Sequence, residues 1–173
     1  MLGQRHAGPH PAICMNPRTS DWRHHVSRVD EAAKLFADRN SCSQAVFVAF
    51  APSLGMDDAE ARRLASGLGG GMHIGGTCGA ATGAVLALGL RYGNDDRTND
   101  RMSVMDAVES FYARFRERVG ATDCPDILGC DICSSEGRAV SRELGLRETR
   151  CLEAVRTAAQ ILEELLESKT HAR

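Results

Sequence analysis

Between Arg63 and Arg91 the chain carries no formal charge, over LASGLGGGMHIGGTCGAATGAVLALGL. A stretch of this length must either cross a membrane or be buried inside a folded domain. Nine of its residues are glycine, and the run Gly67-Leu68-Gly69-Gly70-Gly71 is flexible rather than helical. The continuous apolar part, Cys78 to Leu90, would cover only about 20 Å as a helix, short of the ~30 Å hydrocarbon core of a bilayer. The segment therefore reads as a Gly-rich loop followed by a buried central helix. Gly79 and Gly83 lie four apart on one face of that helix, with Ala80, Ala84 and Ala87 nearby, so a second backbone can approach closely.

The remaining pattern is helical on both sides of this core. Ser27 and Asp30 precede Val29, Ala32, Ala33 and Phe36 at helical spacing, and Asn40-Ser41 opens a second run through Val46 and Phe50 that stops near Pro52 and Gly55. A third helix opens at Asp57 and reaches about Ser66. After the central helix, one from about Asp100 to Val119 places Val104, Val108, Phe111 and Phe115 on one stripe. A turn at Cys124-Pro125 leads to a small helix ending near Leu144, and a last helix runs from about Thr149 to Glu167. No segment alternates with a period of two. The expectation is all-α: a compact single-domain bundle of five to seven helices. With 173 residues and 43% hydrophobic side chains, it can build an ordinary core without metal or disulfide support. Residues 1–25, with three of the five prolines and four of the six histidines, read as a flexible leader, 26–168 as the helical domain and 169–173 as a short tail.

Several function classes are disfavoured. A net charge of −2 gives no bulk attraction to nucleic acid, and no membrane-spanning segment is expected. A nucleotide cofactor is not expected either: the Gly-rich loop breaks the GxGxxG pattern at its last glycine, and no Walker-type Lys-Ser/Thr follows. The first residues, MLGQRHAGPHPAIC, lack the apolar region of a secretory signal, which points to a cytoplasmic setting. There, unpaired thiols mean metal, redox chemistry or packing more often than structural disulfides.

Seven cysteines then carry the chemistry: Cys14, Cys42, Cys78, Cys124, Cys130, Cys133 and Cys151. Cys42, Cys78, Cys124 and Cys151 each fall in the first turn of an expected helix, after Ser41, Thr77, Asp123 and Thr149. Free amides and the positive end of the helix dipole favour an anion there, so these thiols are expected to ionise more readily than the ~8.5 of a free cysteine. The competing account is that they pack as small hydrophobes.

These residues also carry a resemblance. Cys42, then Gly76-Thr77-Cys78-Gly79-Ala80-Ala81-Thr82-Gly83, then Cys124 and Cys151 resemble the pattern that names the C-GCAxxG-C-C family, to which a redox role is attributed. Asn40-Ser41-Cys42-Ser43-Gln44-Ala45, Gly69-Gly70-Gly71-Met72, Leu86-Ala87-Leu88-Gly89-Leu90 and Leu128-Gly129-Cys130-Asp131-Ile132 agree with it, so the match spans about Val29 to Leu166. The leader and Cys14 lie outside it, and Cys133 is an addition to the pattern. The resemblance implies a small helical domain whose cysteines serve electron transfer or thiol redox work. On that basis Cys42, Cys78, Cys124 and Cys151 are the candidate site, with Cys130 auxiliary.

Two mechanisms suit four converging thiolates. They could ligate an iron–sulfur cluster of the [2Fe–2S] type, or a single zinc, with Gly76, Thr77, Gly79 and Cys130 completing the surroundings of the sulfurs. Alternatively, two of them cycle between dithiol and disulfide without metal. Cys130-Asp131-Ile132-Cys133 with Cys124 and Cys151 is a further zinc alternative. His73 lies beside the loop as a ligand or hydrogen-bond donor. Either mechanism calls for a redox partner protein rather than defining a small-molecule substrate. A third reading is a non-catalytic helical assembly module with packed cysteines. Exposed apolar faces on the last two long helices permit a homodimer.

Overall fold

The computed structural model describes residues 27–93 and 102–168. The leader with Cys14 and its histidines, and the tail, lie outside the described residues. Eight α-helices are present among those described: α1 (Arg28–Ala37), α2 (Cys42–Phe50), α3 (Asp58–Ala65), α4 (Gly79–Tyr92), α5 (Met102–Val119), α6 (Cys124–Leu128), α7 (Ser135–Glu143) and α8 (Leu152–Ser168). Strands are absent among the described residues, where the only β-type pairing is an isolated antiparallel bridge between Thr77 and Asp123. The all-α expectation holds.

The count is one above the expected five to seven because the segment 124–144 is two helices rather than one. Gly129, with φ of 72°, ends α6 in the left-handed region. The Ser134 side chain then accepts from the Gly137 amide to start α7. Gly137 itself is held so close to the Asp131 carbonyl that a Cβ would collide with it.

α2 is the centre of the fold. Every residue from Ala45 to Phe50 is buried, and α1, α3, α4 and α8 pack around the helix. Its start is fixed locally by a reciprocal capping box, the Ser41 hydroxyl accepting from the Gln44 amide and the Gln44 side chain accepting from the Ser41 amide. The buried Ser43 hydroxyl donates to the Ala65 carbonyl at 2.8 Å and ties α2 to the end of α3.

The uncharged run folds as the sequence predicts, into a loop and a buried helix. On α4, Gly79, Ala80, Gly83, Ala84, Ala87 and Leu88 are buried. A Cβ on Gly83 would lie 2.5 Å from the Ser43 carbonyl oxygen, so α4 meets α2 backbone to backbone. From α5, Ala107, Phe111 and Phe115 reach the core, the two phenylalanine rings stacking at 5.6 Å; Val104 and Val108 are only half-buried. Ala154, Val155, Ala158, Ala159, Ile161 and Leu162 of α8 close the other side. Among the described residues, no helix is long and apolar enough to cross a membrane.

The contact at Gly83 should be felt directly. Gly83→Ala is expected to destabilise the fold by about 1–3 kcal/mol, since the α2 backbone cannot yield as a flexible side chain would. Gly89→Ala, on the same helix with nothing within 4 Å of its would-be Cβ, should be neutral or stabilising by up to about 1 kcal/mol. Urea midpoints of the two variants measure this, and similar midpoints would show that the close approach does not govern packing.

Candidate functional site

Four elements deliver four cysteines to one end of the bundle. Cys42 is the first residue of α2, Cys78 caps α4, Cys124 opens α6, and Cys151 ends a wide helical turn, Arg147–Cys151, that runs into α8. Two backbone hydrogen bonds tie the starts of α4 and α6 together: the Cys78 amide donates to the Thr122 carbonyl at 2.8 Å and the Cys124 amide to the Gly76 carbonyl at 2.9 Å. The Thr77 hydroxyl adds a bond to the Asp123 carboxylate at 3.3 Å. Gly79 brings α4 to α2, since a Cβ there would lie 3.2 Å from the Cβ of Cys42. The Cys42 and Cys151 thiols lie close enough to interact, the interaction raising Cys42 and lowering Cys151.

Cys42, Cys124 and Cys151 line one cavity of about 500 Å³. Cys78 is buried and does not line it, but lies within electrostatic reach of Cys42, Cys124 and Cys151. Three of the four proposed sulfurs thus share a cavity. Gly76 and Thr77 serve as the frame just described, and the Gly76 amide is already engaged with the Gly71 carbonyl. Gly79 is packed between α2 and the Gly-rich loop, against Gly69 and Leu68. Cys130 stands off the cavity wall, its thiol directed at the Gly137 carbonyl at 3.6 Å, and Cys133 is exposed. His73 is on the wall.

The Gly-rich loop is more ordered than a flexible link. Gly70, Gly71, Met72 and His73 all have positive φ, between 57° and 65°, forming one left-handed turn. For Met72 and His73 this conformation costs about 1–2 kcal/mol each. The turn lets the backbone pass close to α2, with a Cβ at Gly69 falling 2.8 Å from that of Ser41.

The expectation of easily ionised thiols is overturned for three of the four. Burial pushes Cys124 up to about 12, with Cys78 and Cys151 adding to the rise. It also raises Cys78, where the amides of Ala80 and Ala81 at the start of α4 pull the other way without prevailing. Cys42 is held well above the usual thiol value, first by its interaction with Cys151 and second by burial. A helix terminus supplies only about 0.3–1 kcal/mol, whereas desolvating a fully buried charge costs ~4 kcal/mol or more.

Only Cys151 is lowered, and it is not at a free helix start. Thr149 does not cap it: the Thr149 hydroxyl donates to the Gly145 carbonyl, and the Cys151 amide to that of Leu146. The interaction with Cys42 stabilises its thiolate most; burial opposes, Arg147 assists and Glu148 opposes. Arg147 is fixed for this role. Its guanidinium donates to the carbonyls of Phe36 and Asn40 at 2.7 and 3.2 Å and lies 3.9 Å over the Phe36 ring. The sequence reading missed Arg147; its position four residues before Cys151, one helical turn away, was the available signal.

Among the described residues, no three His, Cys, Asp or Glu side chains are arranged to hold one metal ion. That arrangement of donors does not fit a single-ion site. In comparisons with known proteins, the family described as "Putative redox-active protein (C_GCAxxG_C_C)" matches residues 40–165.

The chain belongs to this family.

No curated protein and no solved structure matches it. The cysteines of the pattern thus lie at three helix starts and in the turn before α8, three of them on one cavity, with Gly79 and Gly83 acting as the small residues that let α4 approach α2.

The acidity of Cys151 gives a direct test. Its alkylation by iodoacetamide, mapped by mass spectrometry against pH, should show a midpoint below the usual thiol value, and Cys42→Ala should move that midpoint upward. Cys124 should remain unmodified through pH 10. An unmoved midpoint in Cys42→Ala would remove the interaction with Cys42 as the cause.

Proposed function

We propose that this chain is a thiol–disulfide redox protein whose working pair is Cys42 and Cys151. The observation that carries the reading is that Cys42 and Cys151, from opposite ends of the chain, line one cavity as interacting thiols, with Cys151 shifted toward the thiolate and Cys42 away from it. Exchange requires that division: one sulfur attacks, and a second stands ready to resolve the mixed disulfide.

The Cys151 thiolate attacks one sulfur of an oxidised substrate and expels the other as a thiolate. Cys42 then loses its proton to the departing thiolate or to water and attacks the Cys151 sulfur, releasing the second substrate thiol. The substrate disulfide ends as two thiols and the protein as a Cys42–Cys151 disulfide. The order is built into the pair. Cys42 is held above the usual thiol value first by its interaction with Cys151, then by burial, and then by repulsion from Cys151. The two influences of Cys151 vanish once it is capped, while burial remains, so the first step itself eases ionisation of the resolving sulfur. Cys78 and Cys124 are buried and raised by that burial, so neither competes with Cys151 as the attacking thiolate.

Treating the reduced protein with a stoichiometric small neutral disulfide should produce a Cys42–Cys151 link on peptide mapping. Cys42→Ala should stop at a mixed disulfide on Cys151, and Cys151→Ala should slow the reaction by 10-fold or more. Thiols that neither react nor pair would favour a packed assembly module. Iron with acid-labile sulfide, or zinc, recovered in proportion to anaerobically purified protein would replace this reading with a metal centre.

A further inference from the structure

The cavity beside Cys151 has a chemical character of its own. Arg138, Arg142 and Arg147 line it, with His73 on the opposite loop, against a single carboxylate, Glu148. The chain as a whole has net charge −2, so this excess of cations is local and does not follow from composition. Arg138 and Arg142 are four apart on α7 and therefore share a face. Arg138 is anchored by bonds to the carbonyls of Ile132 and Cys133, at 3.2 and 2.7 Å. Among the described residues, none of the three guanidiniums is paired with a carboxylate.

Size narrows the occupant further. About 500 Å³ is the volume of a small-molecule site. Leu128 and Ile132 add an apolar portion of wall available to a hydrocarbon segment.

We propose that the cavity selects a small, carboxylate-bearing disulfide as the oxidant of Cys151. This rests on the dithiol reading above and names its substrate class. Arg138 and Arg142 receive the carboxylates, the substrate sulfur is placed at Cys151, and Arg147 favours ionisation of the attacking sulfur. Two electrons pass from the Cys42–Cys151 dithiol to the substrate, whose S–S bond is broken as the protein's S–S bond forms. A site lined by one sign of charge raises the encounter rate of an oppositely charged ligand by about 10–10³-fold at low salt.

Three disulfides of similar size and different charge test this: dithiodiglycolate, bis(2-hydroxyethyl) disulfide and cystamine. The rate constant for forming the Cys42–Cys151 link with each is divided by that of 2-mercaptoethanol thiolate with the same reagent, which removes intrinsic reactivity. The normalised order should be anion, then neutral, then cation, with at least a 10-fold advantage for the anion over the neutral reagent that shrinks as salt is added. Arg142→Gln should lower the anion's advantage severalfold, while Arg116→Gln, on α5 and off the cavity wall, should leave it intact. Equal normalised rates, or a reversed order, would overturn the substrate class while leaving the dithiol standing. Failure of all three reagents to link Cys42 to Cys151 would remove both.

Discussion

The approach of α4 to α2 is the constraint on which the rest of the structure depends. Gly83 rests against the backbone of Ser43, and one turn earlier Gly79 rests against Cys42 and the Gly-rich loop. Because Gly83 admits no Cβ and Gly79 only a crowded one, the starts of the two helices are drawn together, and the cysteines at those starts are carried along. The two-rung link between Gly76–Cys78 and Thr122–Cys124 then draws in α6. The site is therefore a product of helix packing in the centre of the domain, in which small residues act by what they leave out.

Acidity within the site is decided by a contest between desolvation and specific hydrogen bonding. At Cys78 both act on the same sulfur, and the amides of Ala80 and Ala81 do not outweigh burial. Cys151 has no such helix start, yet it is the one stabilised as an anion, because a neighbouring thiol interacts with it and a stacked guanidinium supplies charge. Proximity of two sulfurs thus produces asymmetry between groups that are chemically identical.

Much of the fold is legible in the sequence because its signals are local. The uncharged run announces a buried helix, Ser41 and Gln44 announce a helix start, and the apolar spacing of α8 announces its buried face. The division of the segment 124–144 is harder to read, since it depends on Gly129 turning left-handed and on Gly137 meeting Asp131. Of the site, the set of cysteines could be read, and the pairing could not. Nothing near Cys42 in the chain indicates that the turn before α8 will arrive beside it. Arg147 likewise acquires its role from Phe36 on α1, a contact between residues far apart in sequence. Thr149 misled, because a hydroxyl suited to capping was drawn to the Gly145 carbonyl instead.

The separation of Cys42 and Cys151 along the chain has a thermodynamic consequence. More than a hundred residues lie between them, and α2 and α8 are both part of the core. A covalent link closing a loop of that length removes about 4.7 kcal/mol of chain entropy from the unfolded state. By linkage, the same quantity appears in the redox equilibrium: a fold that gains stability when the two sulfurs join must also hold that bond more firmly than an unfolded chain would. In the proposed dithiol the packing that assembles the bundle would thereby help set the reducing strength, and any substitution that loosens α2 against α8 would be read out as an altered potential as well as an altered melting point.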